Sequence, residues 1–467
     1  MKPLSVALTI LITFGFSTLA RADYFPELSN GKGLDTQQFP FGPLGGIFSV
    51  TYETNQATII SLAEDGPASK ADLKPGDILT GVSGKKFSTY SSEAETGGDG
   101  LPLELGMAIL DAQDKGTPLI LTVQRGDKTA DLQIALPRVP AFTEDFPANC
   151  SRSAELISAA CDYLAKSQKS NGTFQKKGEY SNAFAALALL ASGDKKYQSE
   201  INRTVRGFVD DIDSDGPPAS NWHTSAVGIL LAEYFLATAD DSVLQALEAC
   251  CNTVMERLEP ENGRLGHSES KLPYNGKALV ITSSHAHLMW ALAAKAGIDI
   301  NWDRWDHSYQ SVEAAIGKNG NVGYNFSARG DYQSMARTGS VATALTLAEK
   351  SPSDLKGMNR WMGENHKRST NCHAVTSMAL IFGFMGNKNN NPKAFRETMN
   401  YHRWLLALAQ PFDQNHGAYY FGKRANFGGD KYLGLRTVGN YQTVLILTSA
   451  KNDTLWSFGN RNETWYD

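Results

Sequence analysis

The 467-residue chain sets 44 Lys and Arg against 49 Asp and Glu, a net charge of −5, and is 42% hydrophobic. That balance gives no electrostatic footprint for nucleic acid, and the length and apolar fraction suit about two to three domains with a large core. The five cysteines include no C-x-x-C spacing, which favours structural or buried thiols over a redox motif. Cys150 and Cys161 could close a short loop, whereas Cys250 and Cys251 are adjacent on a helix and poor partners for each other.

Residues 1–22 hold one lysine, an apolar run over 4–19 and the small-residue pattern Ala20-Arg21-Ala22. These are the marks of a secretory signal peptide cut after Ala22, so a periplasmic or secreted protein is expected. No later apolar run reaches the ~18 residues that a membrane span needs.

Residues 39–140 change texture. Short β-rich runs (GGIFSVTY, ATIISLA, DILTGVSG, PLILTVQRG, DLQIALP) alternate with glycine turns and two helical pieces, 68–73 and 103–113. The run Gly66-Pro67-Ala68 through Gly76-Asp77-Ile78-Leu79 and on to Val82-Ser83-Gly84 resembles the core of a PDZ domain. That resemblance implies a groove between the second strand and second helix where an extended peptide joins the sheet edge. Leu44, Gly45, Gly46 and Ile47 would then hold the peptide's terminal carboxylate on backbone N–H groups. The loop departs from the usual Gly-Leu-Gly-Phe, and the helix near Met107 offers no histidine. Packing of the module against its neighbour is the competing reading.

From Ser151 onward the chain reads as helix. Six almost wholly apolar segments share one register, with Asn182, His223, His285, Gly339, His373 and Gly439 at the aligned position. A more amphipathic helix precedes each: 151–167, 197–210, 241–257, 306–316, 354–366 and 394–409. A helix apolar on every side must be buried all round. Six such alternations predict an all-α (α/α)6 toroid over 151–460, with an inner ring inside a water-facing outer ring. The fold expectation is therefore multidomain: a small α+β PDZ-like domain followed by this toroid.

The turn Gln168…Asn171-Gly172-Thr173-Phe174 before an apolar helix is echoed at Asn262-Gly263, Asn319-Gly320 and His416-Gly417. It resembles the repeat of terpenoid cyclases and protein prenyltransferases. The whole arrangement is similar to a secreted bacterial family that pairs a PDZ domain with such a toroid.

The aligned positions lie at helix N-termini, where partial positive charge and unpaired N–H groups favour an anionic ligand. His223, His285, His373 and Tyr441 are the candidate catalytic groups, and Asn182, Trp222, Arg337 and Asn440 the candidate ligand-binding ones. Each also has a plainer reading as a capping or packing residue. A zinc set of the three histidines with Cys372 is disfavoured because repeat five lies across the ring from repeats two and three. No metal or cofactor is assigned. The acidic run from Asp210 to Asp215 lacks the spacing of the cyclase acid motif and reads as a solvated turn.

Two functions from different classes follow. In the first, the PDZ-like domain binds a protein or peptide C-terminus and the toroid is a scaffold or ligand cup. In the alternative, the toroid mouth takes a glycan or other small molecule as a carbohydrate-active lyase or hydrolase, an analogy of fold. Isoprenoid cyclisation or prenyl transfer is a third and weaker reading.

Overall fold

The computed structural model describes residues 36–51, 56–88, 100–174, 178–268, 278–326, 334–370, 376–413, 417–419 and 433–450. The expected signal peptide lies outside the described residues.

Seven strands make one antiparallel sheet: β1 (Thr36–Pro40), β2 (Gly46–Thr51), β3 (Gln56–Leu62), β4 (Ile78–Val82), β5 (Lys85–Lys86), β6 (Leu119–Arg125) and β7 (Lys128–Ile134). Their order is β1-β2-β3-β4-β6-β7, with β5 paired to β4. Period-two burial fixes the faces, as where β6 turns Leu119, Leu121 and Val123 inward. The short α1 (Pro67–Lys70) and the longer α2 (Leu101–Lys115) complete the module, α2 burying Leu101, Leu105 and Ile109.

This topology corrects the expected peptide groove. A strand accepts a peptide only on a free edge, and β2 has none. Its one side pairs with β3 and its other with β1, Phe39 standing opposite Phe48. The displaced role has a physical cause in the residues before the loop. Phe39 and Phe41 are fully buried, each with its ring 5.5 Å from that of Phe48, so this segment is core. The loop itself is buried from Leu44 to Ile47, and a side chain added at Gly45 would run into Phe412. Leu44, Gly45, Gly46 and Ile47 therefore pack rather than present amides to a ligand.

The helical region runs α3 (Ser151–Ser167), α4 (Glu179–Ser192), α5 (Gln198–Asp215), α6 (Asn221–Thr238), α7 (Leu244–Glu256), α8 (Val280–Lys295), α9 (Trp302–Glu313), α10 (Met335–Ala348), α11 (Pro352–Glu364), α12 (Thr376–Asn390), α13 (Pro392–Tyr401), α14 (Arg403–Ala409) and α15 (Leu435–Thr448). Inner helices α4, α6, α8, α10, α12 and α15 each pack on the next, and α15 returns to α4, which closes the ring. The inner helices are buried on all sides, as α4 is from Tyr180 to Ser192. Outer helices bury one stripe; on α5 it is Ile201, Val205, Phe208 and Ile212. Close approach in the ring needs small residues, and a Cβ on Gly339 of α10 would collide with the carbonyl oxygen of Phe382 on α12.

The repeated glycine turns have a common job. Gly172, Gly263 and Gly320 all have positive φ and lie against the backbone of α5, α9 and α11, respectively. Only glycine combines that dihedral with that approach at no steric cost.

The last outer position departs from the pattern. Residues 394–409 are expected as one amphipathic helix, but the chain breaks at His402, and α14 is buried from Trp404 to Ala409. The N-terminal module is what covers its far side, since α2, β1 and the 42–44 turn all rest on α14. No helix among the described residues is long and apolar enough to cross a membrane. Among the described residues no disulfide joins Cys150, Cys161, Cys250 or Cys251. Cys150 caps α3 and Cys161 lies within it; three helical turns put them about 16 Å apart, too far for the loop-closing bridge that the sequence allowed.

Candidate functional site

Because an outer helix returns the chain between successive inner helices, all six inner helices begin at the same end of the ring. The side chains gathered there come from the first two turns of α4, α6, α8, α10, α12 and α15 and from the turns that precede some of them.

Some of these residues stitch the turns to the ring. Asn182 Oδ1 accepts the Phe174 N–H at 2.9 Å, Thr338 Oγ1 the Val322 N–H at 3.0 Å, and Asn440 Oδ1 the Ala418 N–H at 2.8 Å. Thr338 sits one residue before the aligned Gly339 and Asn440 one residue after Gly439. Asn440 also donates to the carbonyl of Arg436 at 2.8 Å. Asn182 and Asn440 thus spend their side chains on buried backbone, which must be paired somewhere.

The floor of the mouth is aromatic. Tyr180, Phe184, His285, Phe382 and Tyr441 are buried together, with His285 4.7 Å from Phe382 and Phe184 5.9 Å from Tyr441 between ring centres. These residues come from α4, α8, α12 and α15, so they meet at the axis. His285 gives its Nδ1–H to the Ile281 carbonyl at 2.8 Å and turns Nε2 toward the Tyr180 hydroxyl at 3.4 Å. Burial pushes this imidazole down to about 4, so it is neutral at ordinary pH.

Above the floor stands Trp222, half-buried, its ring 5.0 Å from His285. Its Nε1–H donates to Nδ1 of His267 at 2.7 Å. That bond requires His267 to be unprotonated at Nδ1, and burial holds its pKa down to about 4. His267 lies in the turn before α8, outside the helical register, so no local pattern in the sequence marks it.

At the rim, His223 follows Trp222 on α6 and its Nδ1 lies 2.6 Å from Glu179 Oε2 at the start of α4. Their side chains are 19% and 46% exposed, so the pair faces solvent. The hydrogen bond from His223 holds the Glu179 carboxyl below its ordinary value. Among the described residues nothing hydrogen-bonds Nε2 of His223. An imidazole tied at one nitrogen by a carboxylate and open at the other has the arrangement of a general base.

The other candidates are spread more widely. Arg337 is buried, donates from Nε to the Val322 carbonyl at 3.1 Å and stands 5.5 Å from the Tyr324 ring centre. Tyr441 is part of the floor. His373 and Cys372 lie outside the described residues. The structure therefore brings Tyr180, Trp222, His223, His267 and His285 together, while Arg337 contacts Val322 and Tyr324 in the turn before α10. No group of three or more His, Cys, Asp or Glu among the described residues could hold a metal ion.

Comparison with solved structures returns low-identity likenesses. The α-1,6-mannanase of Salegentibacter sp. HEL1_6 is 11% identical, with a TM-score of 0.46, over 63% of this chain and 99% of that one. The unsaturated glucuronyl hydrolase of Bacillus sp. GL1 is 13% identical, TM-score 0.48, over 66% and 100%. The type II terpene cyclase MstE of Scytonema is 13% identical, TM-score 0.41, over 63% and 99%. At these levels the likenesses carry no chemistry, and the ring stands on its own helix contacts. No curated protein matches the chain. The model of the family described as "Domain of unknown function (DUF6288)" matches residues 153–450, more than half of the chain, and the chain belongs to that family.

Proposed function

We propose that the toroid mouth is the active site of a carbohydrate-active enzyme, a lyase or hydrolase, in which His223 is the general base and Glu179 its positioning residue. The observation that carries this reading is the 2.6 Å contact between Glu179 and His223, at the open rim beside Trp222. Glu179 fixes the tautomer with the proton on Nδ1 and balances the positive charge that develops when Nε2 takes a second proton. Nε2 can take that proton either from a carbon next to a uronate carboxylate or from water attacking an acetal carbon. The Trp222 indole, anchored through Nε1, offers an apolar surface to the C–H face of a sugar ring. The PDZ-like sequence motif then belongs to a module that serves as a wall of the toroid, since both edges of β2 are taken. Residues 1–22, as a signal peptide, would deliver the enzyme to polymeric glycans outside the cytoplasm.

The test is a panel of neutral and uronate-bearing polysaccharides offered to the full-length mature protein. New reducing ends report hydrolysis, and ultraviolet absorbance of a new C=C bond reports elimination. Once a substrate is found, His223→Ala is expected to lower kcat by about 10²–10⁴-fold, and Glu179→Gln to lower kcat with little change in KM. Unchanged turnover in His223→Ala, with fold intact by circular dichroism, removes the reading.

A further inference from the structure

A strip of chain at the toroid mouth keeps hydrogen-bond donors that the protein itself does not use. Residues 264–268 lead from the Asn262-Gly263 turn toward α8, and backbone hydrogen bonds hold them along their length. The Leu265 carbonyl accepts the Leu279 N–H at 3.0 Å, the His267 carbonyl accepts the Asn221 N–H at 2.8 Å, and Ser268 bridges to Ser220. The strip is therefore a fixed wall beside Trp222, whose indole donates to His267.

Three arginines meet the turns around this wall, and they differ in what they touch. Arg257 Nη1 donates to the carbonyls of Pro218 and Ala219 and to Oδ1 of Asn221, which braces the entry to α6. Arg337 is tied to the Val322 carbonyl and faces the Tyr324 ring. Arg264 is half-buried, its guanidinium carbon 4.7 Å from the centre of the Phe326 ring in that same turn before α10. Its Nε is buried without a hydrogen-bond partner, and no carboxylate among the described residues forms an ion pair with it. Glu259 and Glu261, the acids of its own turn, are included in that statement. Three residues along, the Nδ1 of neutral His267 accepts from Trp222, so its proton sits on Nε2, and that N–H is also buried without an acceptor. Buried donors left unmade call for an acceptor from outside the chain, and an uncompensated guanidinium stacked on an aromatic face calls for an anionic one.

We infer that Arg264 determines the substrate class of the mouth: its guanidinium donates to the carboxylate of a uronate in the glycan that packs on Trp222. The inference rests on the mouth being a glycan site and narrows it from glycans at large to uronate-bearing ones. The spacing suits this role. Three residues of extended chain span at most about 11 Å, so Arg264 stands within reach of a sugar linked to one held at Trp222 and His267. The geometry suits it as well. Phe326 covers one face of the guanidinium and leaves its edge to the ligand, and that edge is a planar fork that matches the two oxygens of a carboxylate.

The experiment measures binding to the folded mature protein by isothermal titration calorimetry. The probes are oligogalacturonate, oligomannuronate and hyaluronan fragments, each beside a counterpart with its carboxylates reduced to alcohols, and a sulfated neutral galactan fragment. At least one uronate oligosaccharide is expected to bind about 10–100-fold more tightly than its reduced counterpart. Arg264→Gln should remove that difference by weakening the acid form alone, and added salt should weaken binding of the acid form more in the unaltered chain than in the variant. Arg264→Lys, which keeps the charge and loses the fork, should fall between the two. Should neither variant fold, the difference within the matched pairs and its decline with salt carry the test on the unaltered chain. Equal binding of acid and reduced forms, a preference for the sulfated galactan over every uronate, or full discrimination retained in Arg264→Gln overturns the inference. Binding and turnover separate it from the enzyme reading. A chain that discriminates acid from reduced glycans but turns over neither loses the role of His223 and keeps that of Arg264, whereas turnover of neutral glycans without discrimination does the reverse.

Discussion

Trp222 sits between two neutral imidazoles, while the imidazole one residue further along α6 is tied to a carboxylate in solvent. His267, His285, His287 and His402 are each pushed by burial to about 4 from an ordinary value of 6.5. The consequence for stability has a definite sign. Between about pH 6.5 and 4 the unfolded chain binds these protons and the folded one does not, so each step down in pH favours unfolding. Stability is complete above the unfolded value and is lost as pH falls toward the folded one. The Tm is therefore expected to drop steeply between about pH 7 and 5. His287, whose ring packs 4.8 Å from Trp305 and 5.4 Å from Trp290, gives the control. A His287→Phe chain should lose less Tm over the same interval than the unaltered one, measured by differential scanning calorimetry. An equal loss in both would show that the acid sensitivity lies elsewhere.

At the scale of elements, the apolar cores of the inner helices and the glycine turns could be read from the sequence because each is a local pattern that recurs. A helix with Ala, Leu and Phe all round has only one place to go, and an Asn-Gly before it has few conformations to choose from. The role of a single polar residue at the helix start was not readable in that way. Asn182 and His223 occupy one register, yet Asn182 closes a turn on Phe174 and His223 faces solvent with Glu179. What separates them is the loop that arrives from elsewhere, and no helical period encodes that. The assignment has a measurable difference. Asn182→Ala leaves the buried Phe174 N–H without its acceptor and is expected to cost about 1–3 kcal/mol, seen as a lower urea midpoint at unchanged m. Activity per folded molecule should not change. A loss of turnover without loss of stability would return Asn182 to the ligand.

At the scale of the whole molecule, the sequence divides into two textures that the fold does not keep apart. The module and the ring share one seam, and its contacts join residues some 300 positions distant in the chain, such as Gly106 with Trp404. Pairings of that range leave no trace in a local pattern, which is why α14 could be expected only as an ordinary water-facing helix. Its residues Trp404 to Ala409 are instead buried, with α2 and β1 of the module against them. Gly106 sets the distance: a Cβ there would stand 2.6 Å from the Trp404 carbonyl oxygen and 2.9 Å from its Cβ. Neither neighbour is the free end of a flexible chain, so a larger residue must push the helices apart. Gly106→Val is therefore expected to destabilise the entire chain by about 2–4 kcal/mol, combining overpacking with loss of burial on α14. Because α14 continues the outer helix α13, which packs on α12 of the ring, module and toroid should melt together, as one calorimetric transition in the unaltered chain and one at lower temperature in the variant. Two transitions, with only the smaller moved by the substitution, would mean that the ring closes without its wall.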